Sequence, residues 1–246
     1  ISMASPGRDV KLSKERVTGN RNFITKIWNA NNFLKLNKCK INGLIKVENL
    51  KNPVNQWIYN EFVITQNLVT NSLENFRFDE ASRYIYKFVW HSYCDWYIEF
   101  LKPILNSKNK KDIKETQNFA SFLMANMLKL LHPFIPFFTE SVWEKNGCKR
   151  ILKDHLVSST WPIFKVSKKF KKNQNNINNL IEIITNIRST KAELKITPKL
   201  YCDIFFPKKS TKLKTLISNN LNLIKQVGRV NQILDLKTKE KNMIDI

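Results

Sequence analysis

Glycine is scarce in this chain: five in 246 residues. So few leave little material for the tight turns of a many-stranded sheet, and an all-β architecture is disfavoured. Cysteine is sparse and scattered. Cys39, Cys94, Cys148 and Cys202 stand far apart with no C-x-x-C pair, which argues against a zinc ribbon or a dithiol redox motif. Neither a signal peptide nor disulfide-like spacing is present, so a reducing cytoplasm is the expected setting. No run of about 18 apolar residues occurs, and no membrane span is expected. The glycine-rich phosphate loops G-x-G-x-x-G and G-x-x-x-x-G-K are missing. The three histidines, His91, His132 and His155, show no metal-ligand spacing, and no metal site is expected.

Acidic residues are also in the minority. Forty-two Lys and Arg against twenty Asp and Glu leave a net charge of +22. A balance of that sign points to a polyanionic partner, nucleic acid first. Lysine far outnumbers arginine and Asn and Ile are abundant, so a drift in composition accounts for part of the excess. Apolar residues make up 42%, enough for one good-sized core with a small appendage.

The periodic segments predict a mostly helical protein. Residues 1–19 read as a connecting segment. The chain starts at Ile1 in mid-pattern and reads as a piece of something longer. Phe23, Ile27, Ala30 and Leu34 then form one helical stripe, with Asn22, Lys26 and Asn29 on another, open face. Pro53 suits the first turn of a second helix that carries Trp57, Ile58, Phe62, Ile64, Leu68 and Leu73. Asp79 can support the start of a third. That helix is apolar almost all round, from Ala81 to Leu101, and is expected to be central and to end at Lys102-Pro103. "NSKNKKD" reads as a loop. A fourth helix follows to Leu131, the prolines of "HPFIPFF" break it, and a fifth short helix restarts with Thr139 as a candidate N-cap. The expected fold is thus an antiparallel helical bundle over residues 20–165. A lysine-rich linker, 166–175, and a small α/β region, 176–246, follow it. In the last of these, "LYCDIFF" and "VNQILDL" have strand character.

Two constellations could carry chemistry. Asp95 and Glu99 share one helix face with His91 nearby, a pattern open to acid–base work. Ion pairing with the plentiful lysines is the commoner outcome. Cys94 beside one histidine reads more simply as a small buried residue. The other signal is the basic start of the first long helix. Arg8, Arg16, Arg21 and Lys26 gather around Asn22 and Phe23 in a chain where arginine is rare. Aromatic and guanidinium planes of this kind grip the splayed bases of RNA loops. Phe23 stands between two readings, core residue or stacking platform. Lys191 and Lys195 are candidates for nonspecific phosphate contacts.

Four stretches resemble one family: "ASPGRD", "GNRNFITKIWNANNFL", "NFRFDEASRYIYKFVWHSYCDWYIEFLKP" and "HPFIPFFTESVW". In order and spacing they are similar to valyl-tRNA synthetases, class I aminoacyl-tRNA synthetases, at their α-helical anticodon-binding domain. The resemblance runs from about residue 4 to Pro162. "HPFIPFFTESVW" is shared with the enzymes for isoleucine, leucine and methionine, whereas "CDWYIE" points to valine. "NIRSTKAELKITP" resembles the segment after the bundle, which in the family leads to a coiled-coil arm; no heptads follow here. The resemblance implies a partner, the anticodon stem-loop of tRNA(Val), with Arg8, Arg16, Arg21, Asn22, Phe23 and Lys26 as tRNA-binding residues. It implies catalytic and editing domains elsewhere in the same polypeptide, where ATP and magnesium would act. No cofactor and no catalytic residue are expected in this stretch, which should bind tRNA but activate no amino acid. "KLSKE", Lys11 to Glu15, is similar to the ATP-site lysine loop of class I synthetases. In the family that loop lies upstream of "ASPGRD", so this string reads as a decoy. Three alternatives stay open: a helical protein-interaction module, the equivalent domain of an isoleucine- or leucine-type synthetase, and an enzyme using Asp95, Glu99 and His91.

Overall fold

The computed structural model describes residues 13–40, 45–148, 155–207 and 211–236. The chain divides into two units, residues 1–171 and 172–246. The first is helical. Helix α1 (Lys14–Leu36) buries Phe23, Ile27, Ala30 and Leu34, the stripe its spacing predicts. Helix α2 (Pro53–Glu74) starts with Pro53 in its first turn, and Asn52 caps it by accepting from the Val54 amide at 2.9 Å.

The first two turns of α2 are enclosed on all sides, with Val54 to Asn60 all buried. Its polar members are satisfied. Asn55 Nδ2 donates to Glu115 Oε1 (3.0 Å) and Thr116 Oγ1 (3.1 Å), and Gln56 Nε2 donates to the Leu50 carbonyl (2.6 Å). Farther along, Val63, Thr65, Gln66 and Val69 form the inner face. Ile64 and Leu68, expected with the buried set, are each 39% exposed instead. The helix needs only one inward stripe there, and theirs is the outer one.

The aromatic stretch forms α3 (Phe78–Lys87), a π-helical segment (Phe88–Tyr97) and α4 (Ile98–Leu105). Asp79 and Glu80 sit in the first turn of α3, both bridged to Arg77. The π segment changes which side chains meet. Phe88 and Tyr93, five apart, approach to 6.4 Å between centroids, as i→i+5 winding allows. Pro103, expected to end the helix, lies inside α4, which runs on to Leu105. One missing amide near a helix's last turn is tolerated, because the bonds C-terminal to it are few.

Helix α5 (Lys110–Leu131) begins inside the polar run expected to be a loop. Asn109 Oδ1 accepts from the amides of Lys111 and Asp112, and that cap lets the lysines enter the helix. Helix α6 (Pro136–Lys145) starts on Pro136. Thr139 is therefore not an N-cap. It lies within α6, buried, with its hydroxyl 2.8 Å from His132 Nδ1 and 3.1 Å from the Ile135 carbonyl. Gly147, at φ +72°, takes the left-handed turn that closes α6, where a Cβ would be strained.

The chain then runs back along α2. Trp161 Nε1 donates to Thr70, the Phe164 amide to Gln66, and the Ser167 amide to Asn60. Asn60 Nδ2 and the Tyr59 hydroxyl donate in turn to the carbonyls of Ser167 and Lys165. Side-chain amides of a helix thus do for an extended segment what a neighbouring strand would do. The division between units falls within the 166–175 span read as a linker. That span holds a 3₁₀ turn (Lys168–Phe170) with Phe170 buried edge-on to Tyr59, and it passes straight into the next helix. One aromatic among the lysines anchors it.

The second unit holds most of α7 (Lys171–Glu193), which buries Ile177, Leu180, Ile184 and Ile187. Strand β1 (Cys202–Pro207), helices α8 (Thr211–Asn219) and α9 (Leu221–Val227), and strand β2 (Val230–Leu236) complete it. The two strands pair in parallel, Ile204 opposite Ile233, so the helices between them form the crossover that parallel pairing demands. The architecture is a helical bundle with a small α/β appendage.

Candidate nucleic-acid interface

Helix α1 positions the predicted contacts. Arg21 and Asn22 are exposed on it, one residue before the buried stripe begins. Arg16 belongs to α1 by its backbone, though its side chain lies outside the described residues, as does all of Arg8. Phe23 is buried, and its ring stacks on Tyr86 at 4.7 Å and 23°. Of the two readings, the structure gives it the core position, because it heads the apolar stripe that faces α3.

Lys26 is half-buried between two partners. Its ammonium donates to Asp95 Oδ1 at 2.5 Å and lies 3.8 Å from the centre of the Trp90 ring. Trp90 stacks in turn on Tyr86 at 5.6 Å and 11°. A column of three rings, Phe23, Tyr86 and Trp90, therefore runs from the core toward the surface with a lysine over its outer end. Tyr86 and Trp90 were not among the sequence-predicted contacts. Their four-residue spacing was a legible signal of a shared face. Their approach to Phe23, sixty-odd positions away, was not.

The acidic residues of this region are paired. Asp95 takes Lys26 on one oxygen and faces His91 Nδ1 at 3.4 Å with the other, while Glu99 pairs with Lys102 at 2.5 Å. The two carboxylates thus serve separate cations rather than one proton-transfer pocket. Burial pushes the Cys94 thiol up to about 12, with Lys26 opposing and Asp95 adding to the shift. Such a thiol is a poor nucleophile. Of the string "KLSKE", Lys11 and Leu12 lie outside the described residues, and Lys14 and Glu15 open α1. At the helix entrance its own backbone amide, and after it the Ser13 side chain, hold the Glu15 carboxyl below its ordinary value.

Glu140, Glu144 and His155 bring ligand atoms within 4.8 Å of one another, a cluster that sequence spacing does not announce. Glu140 accepts from the Leu156 amide and from His155 Nδ1, both at 3.2 Å, clasping α6 to the turn beyond it. Burial pushes the Glu140 carboxyl up, but the Leu156 amide, the His155 ring and the Val157 amide outweigh it and hold the group below 4.5. The folded value is depressed, so this clasp contributes fully above the unfolded value near 4.5 and is lost as pH falls through the folded one. Glu140→Gln should leave stability at pH 3 nearly unchanged and lower it at pH 7. Thermal unfolding at both values is the check, and an equal loss at the two would contradict it.

Lys191 and Lys195 part company. Lys195 is exposed. Lys191 is 6% exposed, and its ammonium donates to the carbonyls of Leu200 (3.0 Å), Gly228 (3.2 Å) and Arg229 (2.8 Å). An ammonium has three protons, and all three are committed. Lys191 is therefore a structural cation and cannot reach out to grip a phosphate.

Among the described residues no helix is long and apolar enough to cross a membrane. Comparison with known proteins matches residues 55–206 to the anticodon-binding domain of tRNA ligases. The chain is 40% identical to the valine--tRNA ligase of Pelagibacter ubique (strain HTCC1062), over 95% of its own length and 26% of that protein. It is 36% identical to the corresponding protein of Agrobacterium fabrum, over 94% of this chain and 24% of that one. The figures for Caulobacter vibrioides are 36%, 94% and 26%. The chain thus spans about a quarter of the length of these curated relatives. The family match covers more than half of the chain; it begins after α1, takes in Tyr86 and Trp90, and runs on into β1. The chain belongs to the family of anticodon-binding domains of tRNA ligases.

Proposed function

We propose that the helical unit binds the anticodon stem-loop of tRNA(Val). It would do so as part of a cytoplasmic valine--tRNA ligase whose catalytic and editing domains lie elsewhere in the polypeptide. ATP and magnesium act in that catalytic part. The observation that carries the reading is the outer end of the ring column. Exposed Arg21 and Asn22 stand on the same helix as Lys26, which covers Trp90. Arg8 and Arg16 extend the basic run. Phe23 acts from below, holding Tyr86 in place rather than touching a base.

In this reading the loop's phosphates draw Lys26 away from Asp95, and a splayed base takes its place over Trp90. Stacking of this kind is worth about 1–3 kcal/mol per base. Asn22 offers a donor and an acceptor to a base edge, and the arginines neutralise phosphates.

The test is binding of the chain to tRNA(Val) and to transcripts with exchanged anticodon bases, at one fixed salt concentration. Affinity should fall with the exchange. Trp90→Ala should weaken the cognate transcript by about 5- to 150-fold, the size of one lost stack. Affinity that ignores the bases and equals that for heparin would remove anticodon reading and leave the protein-interaction module as the better account.

A further inference from the structure

The second unit holds a cavity of about 380 Å³ lined by Arg188, Lys191, Ile196, Pro198, Gly228 and Arg229, with Ala192 and Val227 completing the wall. Its size falls in the range of small-ligand sites and exceeds what one phosphate needs. No acidic residue is among those that line it. Three cations do, and Lys191 among them is buried with only carbonyl oxygens as acceptors. Dipoles satisfy its protons, but among the described residues no carboxylate bridges to it, so its charge projects into a low-dielectric wall.

The backbone around the cavity is specialised. A Cβ on Gly228 would lie 2.7 Å from the Ile224 carbonyl oxygen, so only glycine fits. The next residue, Arg229, adopts a φ of 54°. That left-handed conformation is costly for an arginine. It is fixed by its own carbonyl, which accepts from both Lys191 and the Cys202 amide. Arg188 Nη2 donates to the Val227 carbonyl at 2.9 Å, which aligns the guanidinium along the same wall. Pro198 and Ile196 provide an apolar counterface.

We propose that this cavity is a binding site for a phosphate with its attached ribose. Arg229 and Arg188 supply the hydrogen bonds, Lys191 supplies buried charge without donating, and the sugar packs on Pro198 and Ile196. The phosphate is carried by an RNA chain or by a free nucleotide, and the two sources share this chemistry. The site lies apart in sequence from the anticodon-reading residues. The RNA source rests on the tRNA reading above, although base identity plays no part in it.

The experiment uses the whole chain and amide NMR, following Gly228, Arg229 and Lys191. One arm adds a tRNA(Val) transcript, the other AMP. The Arg229→Asn variant removes the charge while keeping a residue that tolerates φ > 0, and unfolding curves check that it folds. RNA is expected to shift these amides, and the variant to lower the salt slope of log K against log[salt] by about 1, the share of one phosphate. Shifts with AMP but not RNA would assign the site to free nucleotides. Shifts with neither, or an unchanged slope together with unshifted amides, would overturn the proposal. Loss of anticodon-base dependence with the slope change intact would sink the anticodon reading alone.

Discussion

Lys191→Met is expected to unfold the second unit while leaving the first intact. The substitution keeps the length and apolar stem of the side chain but strips three carbonyl oxygens, those of Leu200, Gly228 and Arg229, of their donor. Hydrogen bonds to a charged group contribute about 1.5–3 kcal/mol each. Removing the charge also removes its desolvation cost, so the net loss is smaller than the sum, on the order of 3–5 kcal/mol. A small unit with a two-stranded sheet has little stability to spare. Amide exchange should show β1 and β2 losing protection while α2 and α5 keep theirs. Lys195→Met, at an exposed position four residues on, is the control and should change neither. If Lys191→Met retains protection in β1 and β2, the three bonds do not hold the unit together.

Asn55→Leu should have the largest effect on the helical unit. Asn55 is fully buried and links three elements. Its oxygen accepts from the Tyr97 hydroxyl at 3.0 Å, and its nitrogen donates to Glu115 on α5 and to Thr116 beside it. Glu115 in turn accepts from the amides of Lys51 and Asn52, closing the entrance to α2. Burial, with smaller contributions from Tyr93, Cys39 and Glu115, raises the Tyr97 phenol far above its ordinary value, so it stays a donor at any accessible pH. Leucine keeps the branched heavy-atom skeleton of asparagine but leaves the Tyr97 and Thr116 hydroxyls without their partner. At about 1–3 kcal/mol for each stranded group the cost is roughly 2–6 kcal/mol. That corresponds to a drop in Tm of roughly 5–20 °C for a unit of this size. The pair Asn55→Leu with Tyr97→Phe should recover part of the loss, since both ends of one bond are then apolar. A double variant no better than the single one would show that packing, not the bond, is at stake.

The two variants mark where local pattern stops being informative. Period alone predicts that Phe23, Ile27, Ala30 and Leu34 face inward, because a helix has one repeat and the core selects one stripe. Residue type gives strand character to "LYCDIFF" and "VNQILDL", residues 200–206 and 230–236, where the strands run over Cys202–Pro207 and Val230–Leu236. Period fails for Ile64 and Leu68, apolar residues that lie on the outer side of α2 while Asn55, Gln56 and Asn60 lie inside. Those three are inside because glutamate, threonine and backbone partners from distant segments meet them there. The π-helical segment escapes any α-period reading, since five-residue winding moves Phe88 onto Tyr93.

The candidate site divides the same way. That the first long helix carries a basic, polar edge was legible from residue type. That Lys26 is held by Asp95, 69 positions on, and lies over Trp90 was not. Nor did the sequence reading separate Lys191 from Lys195, two lysines four apart, of which one is an internal cross-brace and the other a surface charge.

Residue order alone determined the class of fold, most of the helix faces and the sign of the chain's own charge, because these depend on periodicity and composition within one segment. The folded chain decided which charges are already engaged, which aromatic rings stack and where a cavity opens. Those outcomes depend on groups brought together from far along the chain, and separation in sequence carries no signal of distance in space.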